Sequence, residues 1–240
     1  HPAICDRGDA LWELDRFESA IDAWDLALEH PFLAKERYQR QEIWYKRGLA
    51  LINLERYEEA FFSHHHHYSH YPKLENPDDE RIQLELQDAD GWFSWGYFFI
   101  CVELGHYNYR EAAVLMQKAI ALDPKHRSAL SFCAYVMLKL KRYAKAVDYY
   151  ERALAIEVAD DEAIETAEEW HNLAIAQMKL GHYEAAISSY DRALAVNPDD
   201  PQTLTNRGNA LRYTGRYDEA IAAYDLVISL KPTYQPVYYD

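Results

Sequence analysis

Residues 167–200 read AEEWHNLAIAQMKLGHYEAAISSYDRALAVNPDD, and residues 201–234 read PQTLTNRGNALRYTGRYDEAIAAYDLVISLKPTY. Laid one on the other, Gly181 falls on Gly215, Tyr183 on Tyr217, Ala186 on Ala220, Tyr190 on Tyr224 and Pro198 on Pro232, each pair 34 residues apart. Trp170 is answered by Leu204. In the first half of the earlier copy, apolar side chains at 170, 173, 174 and 177/178 recur at helical spacing. Gly181-His182 breaks that helix as a C-cap glycine does. Tyr183 to Val196 is a second amphipathic helix, stopped by Asn197-Pro198. A fixed period of this size predicts stacked helical hairpins, because a lone hairpin cannot cover its own apolar face.

The chain of 240 residues is 49% hydrophobic and 27% charged, the balance of a folded globular protein. An internal repeat overrides any domain count from length, since a stack of repeats has no single central core. Eight Gly and nine Pro predict short loops and dominant helices. The formal net charge of -15 opposes phosphate backbones and anionic lipid surfaces, so neither nucleic acid nor membrane is expected as a partner. No apolar run reaches a membrane span, and no signal peptide is recognisable. Cys5, Cys101 and Cys133 are far apart and form no CxxC pair, which fits small apolar residues in the cytoplasm or another reducing compartment. The chain starts at His1 rather than Met, and Pro236-Val237-Tyr238-Tyr239-Asp240 matches the opening of a repeat, which suggests a piece of a longer or processed protein.

The two quoted copies resemble the tetratricopeptide repeat. That family carries Trp or Leu at place 4, Leu at 7, a small residue at 8, Gly at 15, an aromatic at 17, Ala at 20, an aromatic at 24, Ala at 27 and Pro at 32. Here those places hold Trp170, Leu173, Ala174, Gly181, Tyr183, Ala186, Tyr190, Ala193 and Pro198. The later copy gives Leu204, Arg207, Gly208, Gly215, Tyr217, Ala220, Tyr224, Val227 and Pro232. Small residues at 8, 20 and 27 let helices approach closely, while large ones at 4, 17 and 24 fill the space between hairpins. The resemblance implies an all-α, right-handed solenoid of about six tandem hairpins.

One array over residues 1–240 is expected, with copies near 1–31, 41–72, 89–124, 127–160, 167–200 and 201–234, and a further repeat or capping segment beginning at 235–240. Earlier copies are looser: Gly8, Phe17, Ala20 and Trp24 mark the first, Trp44, Gly48, Tyr57 and Ala60 the second. Three insertions interrupt the period. Residues 32–40 lengthen the helix that follows, residues 73–88 contain the helix start Asn76-Pro77-Asp78-Asp79, and residues 160–166 add about two turns before Trp170. The turn of the third copy, around Gly105 to Tyr109, is a few residues too long.

In this family the first helix of each hairpin lines an inner, concave surface, through places 2, 5, 6, 9, 12 and 13. Carried over, that surface holds Tyr45, Lys46 and Leu49 in copy two, Phe93, Ser94 and Tyr97 in copy three, and Ser131, Phe132 and Tyr135 in copy four. Copies five and six add His171, Asn172, Ile175, Lys179, Asn206, Asn209 and Tyr213. An alternative register in copy three turns Phe93 and Tyr97 away. Aromatic rings supply rigid contact area at low entropic cost, and Asn amides can donate to and accept from an extended peptide. The resemblance therefore implies a groove for a protein or peptide segment. The subtype that grips a C-terminal carboxylate of chaperones needs Lys and Arg where copy six has Gln202 and Asn206, so that ligand is not expected.

His64-His65-His66-His67 and His70 form a local bias on the second helix of copy two. Helical spacing groups His66 with His70, and His67 with His70, but no Cys, Asp or Glu shares their face, which makes a weak metal site at best. No phosphate loop, GxSxG, HExxH or Cys/His pair is present, so neither catalysis nor a cofactor is expected. Two further readings stay open: a self-association module whose end faces stack on other copies, and metal-linked regulation through the histidine run.

Overall fold

The structure is a computed structural model that describes residues 2–30, 37–67, 86–101, 109–156 and 163–231. Among these residues every regular element is an α-helix, twelve in all. In chain order they are α1 (Pro2–Glu13), α2 (Phe17–Glu29), α3 (Arg37–Asn53), α4 (Tyr57–His67), α5 (Ala89–Cys101) and α6 (Tyr109–Leu122). Then follow α7 (Arg127–Lys139), α8 (Tyr143–Leu154), α9 (Ala163–Lys179), α10 (Tyr183–Val196), α11 (Pro201–Tyr213) and α12 (Tyr217–Leu230). The chain divides into two compact units, His1–Trp92 and Phe93–Asp240, and the border falls within α5. The fold class is the all-α arrangement of tandem hairpins that the repeat implies.

In the first unit α1 packs on α2, α2 on α3, and α3 on α4. Trp24 is fully buried, and an atom added at Gly8 would stand 2.3 Å from its Nε1, so α1 can lie this close to α2 only because residue 8 has no side chain. Arg47 of α3 binds Asp25 of α2 at 2.6 Å and Ser63 of α4 at 2.5 Å, tying three helices with one guanidinium. Trp92 meets Tyr57 edge-on at 5.1 Å and donates its indole N–H to the Leu86 carbonyl at 2.8 Å.

In the second unit each helix from α6 to α12 packs on the next, and the first helices α7, α9 and α11 also touch in sequence. Gly96 brings α5 against Leu115 and Met116 of α6. The small places are closed completely, with Ala112, Ala119, Ala134, Ala146, Ala153, Ala174 and Ala186 at 0% or nearly so. Tyr150 and Tyr190, both at place 24, are buried between successive hairpins. Asp200 caps α11 by accepting from the Thr203 N–H at 2.9 Å, and Pro201 occupies the first turn, where its missing N–H costs nothing.

Turn geometry follows the period even where its glycine is missing. Gly181 and Gly215 have φ of +78° and +79°. Asp15, Glu55 and Lys141, which hold the same place in copies one, two and four, adopt φ of 55°, 59° and 58°. The hairpin thus imposes a left-handed residue that L side chains disfavour. The insertions act on helix length: α3 and α9 have 17 residues against 13 in α7 and α11. Residues 68–85, with Asn76-Pro77, and the 102–108 part of the third turn lie outside the described residues.

Candidate binding face

In the first unit, Lys46 donates to Asp9 of α1 at 2.8 Å and to Glu42 at 3.0 Å. Burial acts against its charge, but these two hydrogen bonds outweigh it and hold the Lys46 pKa above its ordinary value. Tyr45 is half-buried beside it. Leu49 is 7% exposed and packs inside its hairpin instead of offering surface.

In the second unit the first helices bring a ring cluster together. Tyr97 meets Phe132 of α7 edge-on at 4.7 Å, Phe93 lies 5.9 Å from Tyr97 and 5.7 Å from Phe132, and His126 closes the group 5.2 Å from Phe93. Tyr97 remains 39% exposed, and Ser94 is exposed next to it. His126 is held in place because its imidazole accepts from the Ala129 N–H at 3.2 Å as the N-cap of α7. Sequence reading missed it because it stands in a turn, outside the helical period. Tyr135 is covered on one face by Lys139 at 5.0 Å and meets Tyr109 at 6.5 Å. Ser131 and Asn172 are half-buried.

Further along, Thr203 donates its hydroxyl to the Asp200 carboxylate. Its oxygen is then left to accept, so His171 Nδ1 donates to it at 2.6 Å. The His171 ring also lies edge-on to Tyr190 at 5.7 Å. Burial holds the His171 pKa below its ordinary 6.5, against the pull of Asp200 in the opposite direction. A base depressed in the folded state contributes stability that is full above the unfolded value and is lost as pH falls through the folded pKa. His171→Gln is therefore expected to flatten the fall in melting temperature between about pH 7 and pH 5. Parallel pH profiles for the two proteins would show that His171 is not the responsible group.

Ile175 is 8% exposed and belongs to the packing of its hairpin, like Leu49. Asn209 accepts from the Tyr224 hydroxyl at 2.9 Å, and Asn206 is half-buried. Lys179 is exposed, and Tyr213 is 57% exposed and stacked at 4.8 Å on Tyr183. In the histidine run, His64 is buried, and His66 is enclosed by Trp44 at 4.7 Å and Phe62 at 4.2 Å. His70 and the His65 and His67 side chains lie outside the described residues. Among the described residues no three His, Cys, Asp or Glu side chains converge as metal ligands. Burial pushes the Cys133 thiol up to about 12, with a hydrogen bond to Tyr149 acting in the other direction.

Stacked antiparallel helix pairs whose first helices present rings, amides and hydroxyls define a helical-repeat scaffold. A family model described as Tetratricopeptide repeat matches residues 5–63 and 171–234, and a second of the same description matches 126–199. The first alone spans more than half of the chain, and the chain belongs to the tetratricopeptide repeat family. It is a protein-interaction scaffold. No curated protein matches it. Among solved structures it is similar to MamA 41-end from Desulfovibrio magneticus RS-1, with 18% identity and a TM-score of 0.55 over 81% of this chain and 97% of that one. MamA AMB-1 gives 17% and 0.54 over 82% and 94%, and MamA MSR-1 gives 18% and 0.53 over 80% and 97%. At such identities the likeness concerns the fold. No helix among the described residues is long and apolar enough to cross a membrane.

Proposed function

We propose that the chain holds a protein or peptide segment on the inner faces of its first helices, without catalysis. The ring cluster of Phe93, Tyr97 and Phe132 carries this reading. It joins two successive first helices, and Tyr97 keeps 39% of its surface open although its neighbours offer full ring packing. Rigid aromatic area of this kind favours binding, because few rotamers are lost on contact. Beside it, Tyr135 with Lys139, Asn172, and His171 set by Thr203 supply polar groups of both donor and acceptor type. Ser131, Lys179, Asn206, Asn209 and Tyr213 extend this face in the second unit, and Tyr45 with Lys46 form the corresponding face of the first. Leu49 and Ile175 support it from beneath.

Capture from a native lysate by the chain and by a Tyr97→Ala/Tyr135→Ala/Asn172→Ala variant tests the reading, once both melt alike. A partner retained by the native chain and lost by the variant is the expected result. Equal capture by both would remove the inner face from consideration.

A further inference from the structure

The hairpin turns of the second unit differ in charge from those of the first. The turns of copies one and two read Trp12-Glu13-Leu14-Asp15-Arg16 and Ile52-Asn53-Leu54-Glu55-Arg56, with an acid at the left-handed place of each. In copies four to six the same stretches, residues 138–142, 178–182 and 212–216, hold seven Lys, Arg or His and no Asp or Glu. The whole chain has the opposite balance, with 25 Lys and Arg against 40 Asp and Glu. Lys139, Lys179 and Arg212 stand in the last turns of α7, α9 and α11, and all three are exposed. The helix dipole favours a cation at any helix C-terminus. Yet α1, α2, α3, α5, α6, α10 and α12 carry no base in their last turns, so the dipole alone does not account for these three. Because α7, α9 and α11 touch in sequence, the three cations form one row across neighbouring helices.

Rings hold two of these cations in place. Lys139 Nζ lies 5.0 Å from the centre of the Tyr135 ring, and the Arg212 guanidinium lies 5.4 Å from that of Tyr213. Tyr213 in turn stacks on Tyr183 of the preceding hairpin at 4.8 Å. Phe132, Tyr135 and Lys139 follow one another along α7 at spacings of three and four, so the ring cluster and the cation row meet on one helix face. Glu184 and Glu219, acids in the first turns of α10 and α12, are both bound by Arg216, at 3.4 and 2.7 Å.

We propose that the partner held by the second unit is an acidic protein segment, whose apolar side chains seat on Phe93, Tyr97 and Phe132 and whose carboxylates meet Lys139, Lys179 and Arg212. This inference rests on the inner-face reading above and adds the partner's charge and its direction. The apolar part lies towards α5, and the acidic part runs along the turn ends of α7, α9 and α11. Each cation can give a carboxylate a charge-assisted hydrogen bond. At physiological salt, screening acts beyond about 8 Å, so the local row governs a short segment against the distant excess of acids. Polynucleotides and anionic membranes carry the same sign over a wider surface, which meets the net charge of -15 as well as the row.

Probing an array of random-sequence peptides with the labelled full chain tests this. Bound peptides are expected to be enriched in Asp and Glu together with Phe, Tyr, Trp or Leu. Affinity for the strongest of them should fall at least about tenfold when salt rises from about 0.05 to about 0.5 M. Lys139→Glu/Lys179→Glu/Arg212→Glu, all at exposed positions, should lose the acidic enrichment. If that variant melts lower than the native chain, Lys179→Glu alone replaces it. Tyr97→Ala should lose the aromatic preference and keep part of the acidic one. Bound peptides without an acidic excess, no bound peptide at all, or an acidic excess retained after charge reversal overturns the proposal. A thymidine oligonucleotide that binds more tightly than every acidic peptide overturns it too. An aromatic preference that Tyr97→Ala abolishes, with no acidic excess, leaves the inner-face reading standing and removes this inference alone. Acidic peptides that Tyr97→Ala leaves unaffected overturn both, since the segment would then bypass the rings.

Discussion

Gly8→Leu is expected to disrupt the first unit, and Trp24→Ala in the same chain to restore part of what is lost. A Cβ at residue 8 would lie 2.3 Å from Trp24 Nε1 and 2.5 Å from its Cδ1, far inside contact distance. The indole cannot step aside. It is fully buried, packed 6.3 Å from the Trp12 ring, and its N–H donates to Asp9 at 3.2 Å. Close-packed interiors transmit such a clash into the backbone. Trp24→Ala alone empties the space and should cost about 3–5 kcal/mol. That is a large share of the roughly 5–15 kcal/mol that stabilises a typical domain. The double variant refills the cavity from the opposite wall, so it should be more stable than either single one. Urea unfolding of the three variants decides the matter. A double variant no better than the worse single one would mean that the two positions do not share one space.

Glu169→Ala should destabilise the second unit by about 3–5 kcal/mol, while exchanging both Glu169 and Arg127 for methionine should cost far less. Arg127 Nη2 lies 2.7 Å from Glu169 Oε2, joining α7 to α9, with side-chain exposures of 13% and 7%. Two charges at such depth have lost most of their hydration, and the bridge between them offsets part of that loss. Removing the carboxylate leaves the guanidinium buried without this bridge. Removing both removes the desolvation penalty together with the attraction. A double-mutant cycle on thermal or urea stability reads the coupling directly. Additive single effects would show that the pair is solvated in solution and behaves as a surface bridge. By contrast, the exposed Arg216–Glu219 pair at 2.7 Å is not expected to matter measurably, because water screens it.

How much of this was legible in the sequence differs from residue to residue. Copies five and six announced their hairpins because place 15 carries glycine and place 17 tyrosine. The same left-handed turn at Asp15, Glu55 and Lys141 left no mark in residue type, since the packing of the two helices imposes it against local preference. The family resemblance implied one inner face for Phe93, Tyr97 and Phe132, with a second register of copy three left open, but not their mutual contact, which depends on how far successive hairpins advance. Lys46 illustrates the same limit. Its partner Asp9 comes from the preceding copy, 37 positions away, and no local pattern links them. Leu49 and Ile175 show the converse: a correct place in the repeat did not reveal that neighbouring helices bury it.

The amino-acid sequence by itself determined the period, the helical character of both arms of each hairpin and the small residues that let those arms close. These follow from properties that a residue carries with it: backbone freedom, side-chain volume and the spacing of apolar groups. Only the tertiary structure decided which of two equivalent residues is covered. Ile187 and Ile221 hold the same place and differ from 3% to 56% in exposure, because burial depends on the helix that arrives next and not on the residue itself. The same reason applies to Arg207, whose partner Asp191 comes from the preceding repeat.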